Sequence, residues 1–202
     1  AFSLERASKF RERRPSYVAA DIHKLPFADE SFDNATAFEV LHHFENLKPS
    51  LSEIHRILRP GGQVFAYEPS AINPYRRLAE IRFLLMGSIE RSFTKRALLG
   101  QLEEAGFRII SCHKHCLKPS VWKMKQVSGF RRFLKKLYYA VSSRCVPLFG
   151  SLVVVAEKEG APDSSAAPAN LEGCLRCPKT GQKLSKDGEF YITEDGSTKY
   201  PI

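Results

Sequence analysis

No apolar run in this sequence approaches the roughly 18 to 20 residues that a bilayer span requires, so no membrane-crossing helix is expected. The opening stretch, AFSLERASKFRERRPS, is charged and lacks the apolar segment of a signal peptide. It also lacks an initiator Met, and Ala1 is expected to be a cut end. Cysteine is scarce and odd in number: five residues (Cys112, Cys116, Cys145, Cys174 and Cys177). That count argues against a disulfide framework and suits a reducing cytoplasm. Acidic residues fall short as well, 22 against 31 Lys and Arg, which leaves a net charge of +9. The deficit is local. Residues 113 to 144 contain no Asp or Glu, yet hold the pairs Arg131-Arg132 and Lys135-Lys136 among further basic residues. A positive surface there suits nucleic acid, acidic lipid or an anionic substrate; the plainer reading is a solvated helix face.

What is present is a globular balance. The 202 residues are 43% hydrophobic and 26% charged, enough for one main domain and a small appendage. Residues 3 to 14 read as a polar helix stopped by Pro15. Tyr17 to Ala20 reads as a short strand ending at Asp21, followed by a turn-rich loop over residues 22 to 33. Ala35 to Val40 has the pattern of a buried strand. Over residues 47 to 58, Leu47, Leu51, Ile54 and Leu58 share one helical face. Pro60-Gly61-Gly62 should end that helix and turn the chain into a strand at Val64 to Tyr67. Helices are expected near 75 to 86 and 94 to 105, the second capped by Thr94. Strands follow at Phe107 to Cys112 and Ser151 to Ala156. Such alternation predicts an α/β, Rossmann-like, doubly wound and mostly parallel sheet over residues 1 to 158. Residues 159 to 169 (EGAPDSSAAPA) read as a linker, and 170 to 202 as a small β tail.

Ligands of open α/β sheets bind beyond the carboxyl ends of the strands. Three such ends carry polar groups: Asp21, then Phe38-Glu39 with His42-His43, and Glu68-Pro69. The stretch ADIHKLPFADESFDNATAFEVLHHFENLKPSLSEIHRILRPGGQVFAYEP resembles the middle of a class I S-adenosylmethionine (SAM)-dependent methyltransferase. The shared elements are Asp-x-x-x-Leu-Pro-Phe, Ser-Phe-Asp, Leu-His-His and Leu-Arg-Pro-Gly-Gly, in that order. FTKRALLGQLEEAGFRII and GSLVVVAEK resemble the segments of the family's last two strands. The resemblance implies that the family's first strand and glycine-rich loop precede residue 1. It also implies S-adenosyl-L-methionine as cofactor. Asp21 would accept a hydrogen bond from the adenine amino group, with Ile22 against the ring. Phe38 and Glu39 would lie along the methionine part, and His42 and His43 near the methyl group. Glu68 would face the acceptor pocket, followed by the Asn73-Pro74-Tyr75 segment. Methyl transfer needs in-line positioning and, for an oxygen acceptor, a base. His43 is the first candidate and Glu68 the second. Asp33 is expected to cap local backbone rather than touch a ligand.

The tail, LEGCLRCPKTGQKLSKDGEFYITEDGSTKYPI, resembles small zinc-ribbon-like proteins that activate some methyltransferases, which implies a possible protein partner. Cys177 matches the first metal ligand of that pattern, but Thr180, Thr193 and Gly196 stand where the others belong. Half a site does not hold structural zinc, so no metal is expected. Cys112, His113, His115 and Cys116 alternate in direction along a strand and should not converge on one either. In the basic insertion, Phe130, Phe133, Leu134 and Leu137 fall on one helical face, among further aromatics including Trp122, Tyr138 and Tyr139. This is a basic amphipathic helix that could lid a pocket and touch anionic lipid. The expected activity is therefore SAM-dependent methyl transfer to a small-molecule or lipid-like acceptor, by a cytoplasmic protein able to sit peripherally on a membrane. The alternatives are an RNA methyltransferase using the insertion and a non-catalytic binding module.

Overall fold

The main sheet has four strands in the order β1-β2-β4-β3. In this computed structural model, residues 16–87, 91–115, 144–161 and 171–201 are described, with single positions 129, 133, 136, 137, 140 and 141. The expected helix over residues 3 to 14, most of the linker, Cys116, Trp122, Phe130, Leu134, Tyr138 and Tyr139 lie outside them. Strand β1 (Phe32–Phe38) runs parallel to β2 (Leu58–Glu68). Strand β4 (Ser151–Lys158) is antiparallel to both β2 and β3 (Phe107–His115). β1, β2 and β3 therefore point one way and β4 alone is reversed, a mixed sheet of the expected class.

Alternation decides which face is covered. Val64 and Ala66 of β2 and Leu152, Val154 and Ala156 of β4 join one buried cluster. Helix α1 (Lys48–Ile57) adds Leu51 and Ile54, and helix α3 (Lys95–Glu104) adds Leu98 and Leu102. Each fully buried leucine contributes about 1.5–3 kcal/mol. Thr94 caps α3 as expected, its hydroxyl accepting from the Ala97 amide at 3.2 Å. Helix α2 spans Pro74–Leu85. It begins at Asn73, whose side chain accepts from the Arg76 amide at 3.2 Å.

Three local expectations fail. Residues 17–20 are exposed and form no strand. Among the described residues no strand pairs with them, and an unpaired strand leaves its backbone groups to water. Pro60-Gly61-Gly62 does not separate helix from strand. β2 begins at Leu58 and absorbs these residues as a bulge, five steps from Leu58 to Gln63 against two from Phe32 to Asn34. The bulge needs its glycine: a Cβ on Gly62 would lie 2.7 Å from the Arg59 carbonyl oxygen and 3.0 Å from that of Asp33. Nor does the Asp33 side chain cap the backbone; it pairs with Arg59 Nη1 at 2.7 Å.

The tail opens with a single turn, α5 (Leu171–Cys174). It continues as an antiparallel sheet of β5 (Leu184–Asp187), β6 (Phe190–Thr193) and β7 (Lys199–Pro201). Leu175, Cys177 and Leu184 form its buried centre, joined by Tyr191, Tyr200 and Phe27 of the main domain. Phe27 is held there by backbone as well. The Ala28 amide donates to the Cys174 carbonyl at 2.7 Å, and the Arg176 amide to the Pro26 carbonyl at 2.9 Å. From the other side Arg56 of α1 clamps the same loop. Its Nη1 donates to the Phe27 carbonyl at 2.7 Å and its Nη2 to the Leu25 carbonyl at 3.0 Å. Glu53 completes the clamp by accepting from the Leu25 amide at 2.8 Å. Hydrogen bonding to Arg56, above all, holds the Glu53 carboxyl below its ordinary range.

Candidate functional site

β1 and β2 are parallel neighbours, so their carboxyl ends open side by side, where a doubly wound sheet places its ligand. Glu68 closes β2 and is 0% exposed. Its Oε1 accepts from the amides of Val40 at 3.1 Å and Leu41 at 2.8 Å. Its Oε2 accepts from the amide of His42 at 3.3 Å and from His42 Nδ1 at 2.9 Å. These four donors meet the carboxylate's acceptor capacity. They also satisfy amides that the short 3₁₀ turn Leu41–His43 leaves without an internal partner. Glu68 was expected as a second base; here both of its oxygens are engaged by residues 40–42, which it positions. The reason is parity. Val64, Ala66 and Glu68 alternate along β2, so Glu68 follows the two core residues inward.

The same bonds sort the two histidines. Nδ1 of His42 faces a carboxylate oxygen that already accepts an amide, so Nδ1 is the donor in that bond. His42 is 5% exposed, whereas His43 is open to solvent. Their rings lie 4.1 Å apart at 38°. His43 is thus the reachable base candidate, packed on a neighbour whose orientation Glu68 fixes. At the end of β1, Phe38 is 52% exposed and stacks on Tyr67, with centroids 4.7 Å apart and planes 8° from parallel. Glu39 turns the chain with φ +48°, a left-handed conformation rare outside glycine. Its amide donates to the Tyr67 carbonyl at 2.8 Å, which holds the turn against β2. Such strain gathers at functional sites.

Asp21 comes from a different segment and is exposed. Its Oδ1 accepts from the His23 amide at 2.9 Å and binds His23 Nδ1 at 2.8 Å. The amide bond first, and then the ring, lower its pKa. Ile22 packs against the main core. The His23 ring stands edge-on to Phe44 at 5.4 Å, which sets this loop beside the His42-His43 turn. Phe38, Glu39, His42, His43 and Glu68 are thus gathered at adjacent strand ends, with Asp21 and Ile22 alongside. Sequence reasoning missed His23 and Tyr67. An Asp two residues before a His is a usable turn signal; the Phe38–Tyr67 stack leaves none.

In the tail, Cys177 stands in a hydrogen-bonded pocket, its sulfur 3.3 Å from Tyr200 Oη and 3.4 Å from the donating Thr180 amide. Burial pushes the thiol up, but bonds from Thr180, Tyr200 and the Lys179 backbone outweigh it and bring the pKa down to about 7. Thr193 is buried and donates to Asp195 at 2.7 Å. Among the described residues no group of three or more His, Cys, Asp or Glu gathers around a common point.

Residues 2–66 match the family model described as a methyltransferase domain. A chain of the complex between the Haloferax volcanii Trm112 methyltransferase activator and its methyltransferase superposes with a TM-score of 0.57 at 17% identity, covering 78% of this chain and 68% of that one. The fold is that of a class I SAM-dependent methyltransferase. The sterol 24-C-methyltransferase of Pneumocystis carinii is 28% identical over 152 residues, covering 66% of this chain and 40% of that protein. An O-methyltransferase of Aspergillus sclerotiorum is 34% identical over 99 residues, covering 47% of this chain and 36% of that protein. The chain thus spans well under half the length of these two relatives.

Proposed function

We propose that this chain is part of a SAM-dependent methyltransferase acting on a small-molecule or lipid-like acceptor. The observation that carries the reading is the turn over residues 40–43, held by a wholly buried Glu68 beside the strained Glu39 at two parallel strand ends. The residues suit SAM. Asp21 offers an exposed carboxylate whose bonds fall on one oxygen, so the other is left to accept from an adenine amino group. Phe38 offers a half-exposed ring, and Glu39 presents backbone at the edge of the sheet. Bound SAM supplies a methyl group on a sulfonium centre, activated for in-line transfer. The chain supplies orientation. Glu68 fixes the 40–42 backbone and the His42 ring, and His42 packs against His43. His43 Nε2 or Nδ1 then receives the proton of an oxygen acceptor as its new bond forms.

A lipid-like acceptor is favoured by the sterol methyltransferase among the relatives and by the apolar surface described below. The basic run at 113–144 and the activator-like tail are the features that favour RNA, and binding that falls steeply with salt would support that alternative. A non-catalytic module would keep this fold with no turnover. The tail docks on its own domain through Phe27, and its exposed strands leave room for a protein partner such as the activator complex among the structural relatives suggests. We place the protein in the cytoplasm, peripheral to a membrane. The experiment is a radiolabelled methyl-transfer screen over sterols, phenols and RNA. Activity that drops about 10²–10⁴-fold in His43→Ala, with SAM affinity kept, supports the reading. Unchanged turnover in that variant removes His43 as the base.

A further inference from the structure

Helix α2 leaves an apolar face uncovered. Leu78, Ile81, Leu84, Leu85 and Met86 are each 58% to 83% exposed. Leu78, Ile81 and Leu85 fall at i, i+3 and i+7, one stripe along the helix. Exposed Arg77 and Arg82 flank it. The one acid on α2, Glu80, is turned away into a bond with Arg77 Nη1 at 2.9 Å and with the Ser92 amide at 2.6 Å. Further apolar and basic residues are exposed beyond α2. Phe133, Leu137 and Val141, at i, i+4 and i+8, are exposed, as are Lys136 and Arg144. Helix α4 (Val146–Phe149) follows directly on Arg144 and packs against α2, and Asn73 Nδ2 donates to the Phe149 carbonyl at 2.7 Å.

We propose that the exposed face of α2, together with the exposed Phe133, Lys136, Leu137, Val141 and Arg144, docks on an anionic lipid bilayer. Large aliphatic side chains in this number, contiguous and ringed by polar residues, mark an interaction site. The ring here is basic, and residues 113–144 contain no acid at all, so the complementary surface is anionic. Apolar stripes bordered by Arg and Lys are the design of helices that lie in the headgroup region. No described helix is long and apolar enough to cross a membrane, which fits a surface that lies on the bilayer. The docking extends the lipid-like acceptor reading, since it would bring the protein to a membrane-embedded acceptor. It is tested without SAM, so its failure and that of methyl transfer are distinguishable.

The test is co-sedimentation of the whole chain with vesicles of phosphatidylcholine, alone or with phosphatidylglycerol. Binding should rise at least about tenfold with the anionic lipid and weaken with salt. Ile81→Glu with Leu85→Glu should abolish it, as should Arg82→Glu in part; all three sites are exposed, and circular dichroism checks that the fold is kept. Three results would overturn the proposal. The first is equal binding to both vesicle types. The second is unchanged binding by the Glu variants. The third is a lipid-free dimer, by sedimentation, that Ile81→Glu with Leu85→Glu converts to monomer. RNA binding that these variants leave intact, with no vesicle binding, would assign the charge to nucleic acid instead.

Discussion

Glu68 carries four hydrogen bonds with no access to solvent, so exchanging it for its amide replaces an acceptor with a donor among donors. Glu68→Gln should cost about 3 kcal/mol of stability, because amides of residues 40–42 lose a partner they cannot replace from water. Urea denaturation measures this. A change below about 1 kcal/mol would show that water reaches the turn. Glu68→Gln should also free the His42 ring, seen as altered histidine signals by NMR. At this scale the sequence was half legible. The cluster of Phe38, Glu39, His42, His43 and Glu68 could be read from polar residues ending apolar strands. The burial of Glu68 was implicit in its parity with Val64 and Ala66, but only once β2 was known to run unbroken to its last residue. The Phe38–Tyr67 stack and the His23 bond to Asp21 depend on side-chain placement that no spacing rule encodes.

Between elements, the joint to examine is the loop that α1 and the tail hold from opposite sides. Arg56 contacts two carbonyls of this loop, and the tail contributes two backbone bonds and the pocket for Phe27. Arg56→Ala should therefore loosen both partners of the joint. Hydrogen exchange at the Ala28 and Arg176 amides should speed up together, with a stability loss of about 2 kcal/mol. Exchange that changes at Ala28 alone would mean that the tail holds on without the clamp. The helices were legible because their apolar residues recur at helical spacing and Thr94 marks a start. The strand at 17–20 was misread because β pattern needs a neighbouring strand to become a strand. Pro60-Gly61-Gly62 was misread because the same residues that end helices also build bulges, and pairing with β1 chose the bulge.

At the scale of the whole molecule, one pH-sensitive group is His55 of α1, whose ring meets the start of β3. Burial, and then the charge of Lys158, lower its pKa below the ordinary 6.5, and Phe107 meets its ring edge-on at 5.0 Å. The unfolded chain then binds the proton more readily than the folded one. Stability from this site is complete above about pH 6.5 and declines as pH falls below it. Thermal melts of the wild type and His55→Gln between pH 5 and 8 check this. The wild type should lose ground below 6.5, and the variant should show a shallower slope. The class of fold was legible at this scale because motif order and strand–helix alternation agree. The docking of the tail on Phe27 was not, because contacts between segments so distant in sequence follow from surface complementarity alone.

The most direct measurement is a calorimetric titration of SAM into the protein and into its Asp21→Asn variant. The protein should bind with a micromolar dissociation constant and lose about tenfold or more on substitution, since an amide in place of the carboxylate weakens acceptance from the adenine amino group. Absence of binding in every form, or binding that Asp21→Asn leaves unchanged, would contradict the assignment of this strand edge as the cofactor site.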